Sequence, residues 1–437
     1  MEKTLIEVKY VITCNRNFDI IKNAAITFEN GKITYVGSSK NIPYSKSYFD
    51  NIIVEEDGIA IPGLINCHTH AAMNLFRGAC DDLPLKLWLE KKIWPLESKL
   101  TSEDIVYGNL LSFLEMLSCG TTTFVDFYYF NELIEALKII PLRAVATIAF
   151  LDQVPDGEVY WRRFKELQKY FDMANSIKDG LVKVALGPHA IYTCSKELLE
   201  KIVEVSEKHN LLVHMHVSET LEEVQFSNKK FGLTPIEYLD KIGILNEKMI
   251  AAHCVHLKER DINILQEKRV NCVHNPSSNM KLADGVMPLS DLLKANINVC
   301  LGTDGAASSN SLNLFNEMRT AILLQRGVNL DPTFPSAKDA LLMATVNGAK
   351  AIGLYNHIGS IEVNKKADIV IINGRSPRLC PEYDIVSNIV YSCTPADIIF
   401  TIVNGRILYE RGKFPNIDME KIVKEFNEKA LKLLSTN

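Results

Sequence analysis

Between residues 58 and 305 the apolar positions fall into eight short β-branched runs: IAIPGLI, TTTFVDF, RAVATIAF, VKVALGPHA, LLVHMHVSE, KMIAAHCV, RVNCVHNP and INVCLGTDG. Between most of them the pattern changes to the 3.6-residue spacing of an amphipathic helix, as over 102–118, 161–177, 195–208 and 288–294. Apolar strands alternating with amphipathic helices specify a parallel sheet covered by helices, and eight such units specify an α/β fold of the (β/α)8 TIM barrel type. Helices over 313–326 and 336–353 are expected to close the ring.

The two ends of the chain follow another pattern. VKYVITC, AAITFENGKITYVG and NIIVEEDG near the start, and ADIVIING and IIFTIVNGRILYERGK near the end, are strands and hairpins with no helix between them. Asn30-Gly31 and Asn404-Gly405 suit type I′ turns, which need positive φ at both central residues. Strands from both ends are therefore expected to pair into one small β-sandwich beside the barrel. The expected domains are 1–58 and 366–415 for the two parts of the sandwich, 59–365 for the barrel, and 416–437 for a terminal amphipathic helix.

A chain of 437 residues has room for such a companion domain, because the barrel alone takes roughly 250. The formal net charge of −5, with both signs mixed along the chain, offers no basic surface for a nucleic acid. No apolar run reaches the roughly 18 residues of a membrane helix, and the opening MEKTLIEVKYVITCN lacks a signal-peptide core, so a cytoplasmic protein without membrane contact is expected. The 10 cysteines, Cys80 among them, are scattered without a C-x-x-C pair and suit buried reduced thiols.

Candidate chemistry gathers where the strands end. Asn66-Cys67-His68-Thr69-His70 follows the first barrel strand, and alternate strand residues share a face, so His68 and His70 can address one ion. Taken alone, H-x-H equally suits two structural histidines. His189, His214, His216, His253 and His274 then recur at the C-terminal ends of later strands, the end at which barrel enzymes build their sites. His209, His256 and His357 fit surface or loop positions better. Asp304, in Gly302-Thr303-Asp304-Gly305, can reach the same point as His68, His70 and His216, although it also suits a helix cap. Three imidazoles and a carboxylate suit Zn2+ with one position left for water, while iron and manganese fit the same set. Glu219 stands three residues after His216, within reach of that water as a proton carrier, or else as a first-turn helix glutamate.

The order and spelling of these segments resemble the amidohydrolase superfamily, and within it the methylthioadenosine/S-adenosylhomocysteine deaminases. The resemblance runs nearly end to end and rests on PGLINCHTH (62–70), NLFRG (74–78), GPHAIYTCS (187–195), HMHVSET (214–220), AAHCVHL (251–257), HNPSSNMKL (274–282) and LGTDGAASSNSLNLFNEMR (301–319). It implies one metal ion held by His68, His70, His216 and Asp304, with His253 fixing or polarising a water. Glu219 would protonate the ring nitrogen beside the amino-bearing carbon while hydroxide attacks that carbon, and Asp304 would pass the remaining proton toward the departing ammonia. The product would be a 6-oxo purine nucleoside. Many superfamily members bridge two metals with a carboxylated lysine at the end of strand four, but here that strand ends Gly187-Pro188-His189, and Lys183 lies earlier. The H-x-E and P-C-x-x-C signature of the other zinc deaminases is also missing.

The same resemblance implies substrate contacts from His189 to the purine, from Glu97 to the ribose hydroxyls, and from Arg162 or Arg163 to the amino-acid tail of adenosylhomocysteine. The two arginines equally suit exposed helix charges. Where the family pattern carries a second arginine this chain has Ile148, which favours uncharged 5′-substituents such as methylthio, hydroxyl or hydrogen. Deamination or dechlorination of another heteroaromatic ring, such as guanine or an s-triazine, is the competing expectation. The expected partner is a small nucleoside. Relatives of this kind often assemble as dimers or tetramers, and the residues themselves leave a homo-oligomer open.

Overall fold

The computed structural model describes residues 2–79 and 81–435, so Cys80 lies outside the described residues. The two ends of the chain meet in one sheet. Strands β1 (Lys3–Ile12), β2 (Ile20–Glu29), β3 (Lys32–Ser38) and β4 (Asn51–Pro62) come from the start, and β13 (Ile369–Asn373), β14 (Ile398–Val403) and β15 (Arg406–Glu410) from the end. Their order is β15-β14-β13-β4-β1-β2-β3, with β4 antiparallel to β13 and Ala60 opposite Ile371. The strands expected as a sandwich thus form one continuous sheet, and it curls until its outer hairpins meet. Ala367 N donates to Gly31 O and Gly405 N to Ala367 O, each at 2.9 Å. Both expected hairpin turns have positive φ at both central residues, and a Cβ on Gly31 would stand 2.2 Å from Asn404 O. Ile6, Ile26, Phe28, Ile369, Ile371 and Ile402 fill the concave face.

The other sheet is the barrel. β5 (Leu64–Thr69), β6 (Thr121–Tyr128), β7 (Arg143–Phe150), β8 (Val182–Pro188), β9 (Leu212–Val217), β10 (Met249–His253), β11 (Asn271–His274) and β12 (Asn298–Leu301) lie side by side in chain order. Every pair between them is parallel. The run IAIPGLI is divided: IAIP finishes β4, and β5 starts after Gly63. First and last strands are joined by Asn66, whose side chain accepts from Thr303 N at 3.1 Å and donates to Thr303 Oγ1 at 2.7 Å, and by Asp304 N donating to His68 O at 3.0 Å. Val125, Val145, Ala185, Leu212, Ile250 and Val273 belong to one buried cluster along the axis.

Two expected helices are interrupted. The 336–353 stretch forms Ala337–Met343 and Val346–Ala351, broken at Thr345, whose φ of −134° and ψ of −90° are not helical and whose hydroxyl donates to Leu341 O at 2.6 Å. The 161–177 stretch is split by a 3-10 segment over Arg163–Glu166. Of the nine described cysteines, all but Cys380 are buried; Cys380 is exposed. The terminal helix Met419–Ser435 packs against Ser102–Ser118, and its Phe426 and Leu433 join Met73, Phe76 and Trp88 in one apolar cluster.

A buried ion pair ties sheet to barrel. Arg143, at the start of β7, donates to both oxygens of Asp368, Nε at 2.9 Å and Nη2 at 3.1 Å, and Asn404 N donates to the same carboxylate at 2.6 Å. Both side chains are buried. Removing one partner leaves an uncompensated buried charge, so Asp368→Ala is expected to lower unfolding free energy by about 3–5 kcal/mol, measured by denaturant titration. A variant as stable as the parent would show that this pair does not hold the two sheets together.

Candidate metal and catalytic site

At the C-terminal mouth of the barrel, side chains from the ends of four strands, β5, β9, β10 and β12, point at one another. Leu212 lies in the axial cluster, so the strand alternation also turns His214 and His216 inward. His70 Nε2 stands 3.3 Å from His216 Nε2, while Asp304 Oδ1 lies 3.3 Å from His68 Nε2 and 3.2 Å from His70 Nε2. Ligand atoms of His68, His70 and His216 lie within 4.8 Å of one another, as do those of His68, His253 and Asp304. The approach is close enough that a Cβ on Gly302 would stand 2.8 Å from that of His68. His253 and Asp304 leave their strands with φ of +74° and +60°, left-handed backbone that tertiary contacts must maintain.

The donor set fits a cation. His216 Nδ1 donates to His189 O at 3.0 Å, which leaves Nε2 as a lone pair facing His70 Nε2. His68 Nε2 and His253 Nε2 are buried with no hydrogen-bond partner. Burial and the neighbouring imidazoles hold His216 well below its ordinary pKa, so it is neutral and able to ligate. Burial pushes the Asp304 carboxyl up, but the His68 and His70 imidazoles beside it prevail and hold it well below the usual carboxylate range. Ser278 and Ser308 donate to Asp304 Oδ2 at 2.6 and 2.7 Å, which leaves Oδ1 for the histidines. Outside this set, His214 Nε2 stands 2.8 Å from His68 Nδ1 and orients that ring.

Glu219 Oε1 lies 3.6 Å from His253 Nε2. Burial, then the negative charges of Asp284 and Asp304, raises the Glu219 pKa well above its ordinary value, the direction that favours a proton donor. Burial pushes His253 down to about 3 and keeps it neutral. These groups line a cleft with Met73, Trp88, Tyr128, His189, Tyr192 and Leu282.

Glu97 is half-buried and accepts from the Tyr129 hydroxyl at 3.0 Å. The arginines differ: Arg162 is exposed, whereas Arg163 is half-buried, donates to Ala149 O at 2.6 Å and stacks on Tyr160. Ile148 is fully buried in β7. Lys183 donates to Ile352 O at 2.9 Å, outside the histidine cluster. His274 also takes no part in that cluster; its neighbour Val273 holds the inward position.

Residues 59–408 match the model of the amidohydrolase family. The chain belongs to that family. It is 42% identical to the 5-methylthioadenosine/S-adenosylhomocysteine deaminase of Thermoanaerobacter pseudethanolicus, over 95% of each chain. It is 43% identical to the 5′-deoxyadenosine deaminase of Methanocaldococcus jannaschii, over 93% of this chain and 96% of that one. Among solved structures, an adenosine deaminase from Xanthomonas campestris with bound zinc superposes with a TM-score of 0.94 at 31% identity, covering 99% of this chain and 98% of that one.

In this amidohydrolase several supporting residues escaped the sequence reading. Glu223, in the run LEEVQF (221–226) that follows Glu219 and Thr220, is buried and accepts from Ser218 N at 3.1 Å and Glu219 N at 2.9 Å. Thr220-x-x-Glu223 has the form of a capping box, and Thr220 does accept from Glu223 N at 3.1 Å. The carboxylate itself reaches further back and clamps the turn at Ser218, whose φ is +51°. Ser278, Ser308 and Tyr129 carried no periodic signal. Because a displacement of about 1 Å can cost about 100-fold in rate, Glu223→Ala is expected to lower kcat at least about tenfold with KM changed less than about threefold. Steady-state kinetics on the folded variant check this, and an unchanged kcat would remove Glu223 from the account.

Proposed function

We propose that this amidohydrolase is a single-metal deaminase that hydrolyses adenosine-type nucleosides, among them 5′-methylthioadenosine and S-adenosylhomocysteine, with adenosine and 5′-deoxyadenosine as further substrates. Water adds to the amino-bearing carbon of the purine and ammonia leaves, giving the 6-oxo purine. The metal is zinc, one per subunit, with His68, His70, His216 and Asp304 as ligands, a choice supported by three buried imidazoles converging beside one carboxylate. When bound, the cation would supply a water whose pKa is lowered to about 7.

The observation that carries this reading is the pair of carboxylates with opposite proton affinities at one point, Glu219 raised and Asp304 lowered. Glu219 gives its proton to the ring nitrogen, which makes the adjacent carbon electrophilic. One proton of the attacking water restores Glu219, and Asp304 takes the proton that remains on the added hydroxyl and passes it to the departing amine. His253, neutral beside Glu219, orients the water. His189 faces the same cleft and holds the purine. Glu97 supplies paired acceptors for the ribose diol, aimed by Tyr129. Arg163 is the better placed arginine for a charged 5′-substituent, and buried Ile148 favours uncharged ones. In this reading residues 59–365 are the catalytic barrel, 1–58 and 366–415 its β domain and 416–437 the C-terminal segment that carries the helix Met419–Ser435. The buried free thiols support a reducing, cytoplasmic setting.

Ammonia release from 5′-methylthioadenosine, 5′-deoxyadenosine, adenosine and S-adenosylhomocysteine is expected to exceed that from guanine by at least about 100-fold in kcat/KM. Glu97→Ala should raise KM for the nucleosides about 10- to 100-fold, the worth of one or two hydrogen bonds to a charged acceptor. Nucleoside turnover indifferent to that substitution would sink the ribose assignment.

Burial raises the Glu97 pKa to about 7, against lowering contributions from the Tyr129 hydrogen bond and the His70 charge. An acid with a raised pKa gains its charge only as pH climbs through that value. The KM for nucleosides is therefore expected to fall between about pH 6 and 8 and to lose this dependence in Glu97→Gln, as read from a pH series of initial rates.

A further inference from the structure

The short helix Pro276–Lys281 reaches the site twice. Ser278 Oγ donates to Asp304 Oδ2 at 2.6 Å, and Asn279 Nδ2 donates to His253 Nδ1 at 2.9 Å. Asp304 and His253 both sit in left-handed backbone, so regular sheet pairing does not fix their side chains; these two contacts do so together with Ser308 on Asp304 Oδ2 at 2.7 Å and Asn275 on His253 Nδ1 at 3.4 Å. A helix of six residues has little stability of its own and needs an anchor.

Its anchor is Glu317, on the helix Leu314–Asn329. Ser277 N donates to Glu317 Oε2 at 3.1 Å, and the side chain is 1% exposed. Glu317 Oε1 is buried with no hydrogen-bond partner. Burial raises this carboxyl to about 7, so placing it here costs stability. A purely structural position would be filled at less cost by an apolar side chain.

We propose that Glu317 is a positioning residue: by fixing Ser277 it sets the helix through which Ser278 orients Asp304 and Asn279 orients His253. The inference rests on the roles given above to Asp304 and His253. Glu317 touches neither substrate nor metal in this assignment.

The test is a double-mutant cycle on the full chain, with Glu317→Ala, Ser278→Ala and both together, plus Glu317→Gln, which keeps an acceptor oxygen. With saturating zinc, Glu317→Ala is expected to lower kcat for 5′-methylthioadenosine about tenfold with KM within about twofold, and Glu317→Gln to recover most of that loss. In the Ser278→Ala background the Glu317→Ala step should cost less than half as much, because part of its route is already cut. Zinc affinity of the metal-free protein, measured by competition with a chromophoric chelator, should weaken about tenfold in Glu317→Ala whatever the substrate. Should the alanine variant fail to fold, Glu317→Asp carries the test, since it withdraws the acceptor by one methylene and should lower kcat where Glu317→Gln does not. Unchanged kcat and zinc affinity in the folded variant, or full additivity in the cycle, overturns the inference. A wild-type enzyme that releases ammonia from no nucleoside would instead sink the proposed function, while the zinc measurement would still decide for or against Glu317.

Discussion

The constraint behind this molecule is the burial of His68, His70, His216, His253 and Asp304 at one end of a barrel, close enough that their lone pairs face each other. Such a group is electrostatically costly when nothing positive sits among them: nitrogen lone pairs at 3.3 Å repel, and desolvated polar atoms lose their water hydrogen bonds. A divalent cation turns that cost into binding energy. The rest of the fold holds these side chains where such a cation could be held. Asn66 ties the first strand to the last, so that His68 and Asp304, 236 positions apart in the sequence, share one ion-sized space.

Sequence reasoning recovered what periodicity and spacing encode. Eight apolar runs became eight parallel strands, and the inward alternation of β9 delivered both His214 and His216. The hairpin dipeptides at Asn30 and Asn404 adopted the positive φ angles their composition demands. What escaped was information carried by single contacts across long separations. His214 and His216 have the same pattern, yet one meets His68 Nδ1 and the other turns Nε2 toward His70, a distinction set by which ring nitrogen meets which partner. His274 shares the strand-end position but has the opposite parity to Val273, so its place at a strand end was misleading. The curl that makes one sheet out of an expected sandwich depends on where Ala367 finds its partners, which no local signal records.

Strain marks the site as clearly as the ligands do. Ser218, His253 and Asp304 are non-glycine residues at positive φ within the same mouth, and each follows or ends an inward-facing strand. Left-handed backbone at such residues is sparsely populated and persists only when the surroundings over-determine it. The surroundings do so with buried polar side chains that touch no cation themselves: Glu223 on the amides of Ser218 and Glu219, Asn279 on His253, and the two serines on Asp304. The polar layer beneath the ligands is thus what turns a strand end into a defined geometry.

Four carboxylates around this mouth have one chemistry and three uses, and environment alone divides them. Asp304 meets two imidazoles and stays ionised; Glu219 meets low dielectric and other carboxylates and keeps its proton. Glu223 and Glu317 are equally buried but face backbone N–H groups, so they act as anchors. Exchanging any two of these environments would put a proton donor where a ligand is needed, or a charge where an anchor is needed. That explains why the chemistry was only partly legible from residue types: Asp and Glu were visible in the sequence, but the neighbours that set their protonation were brought together by the fold.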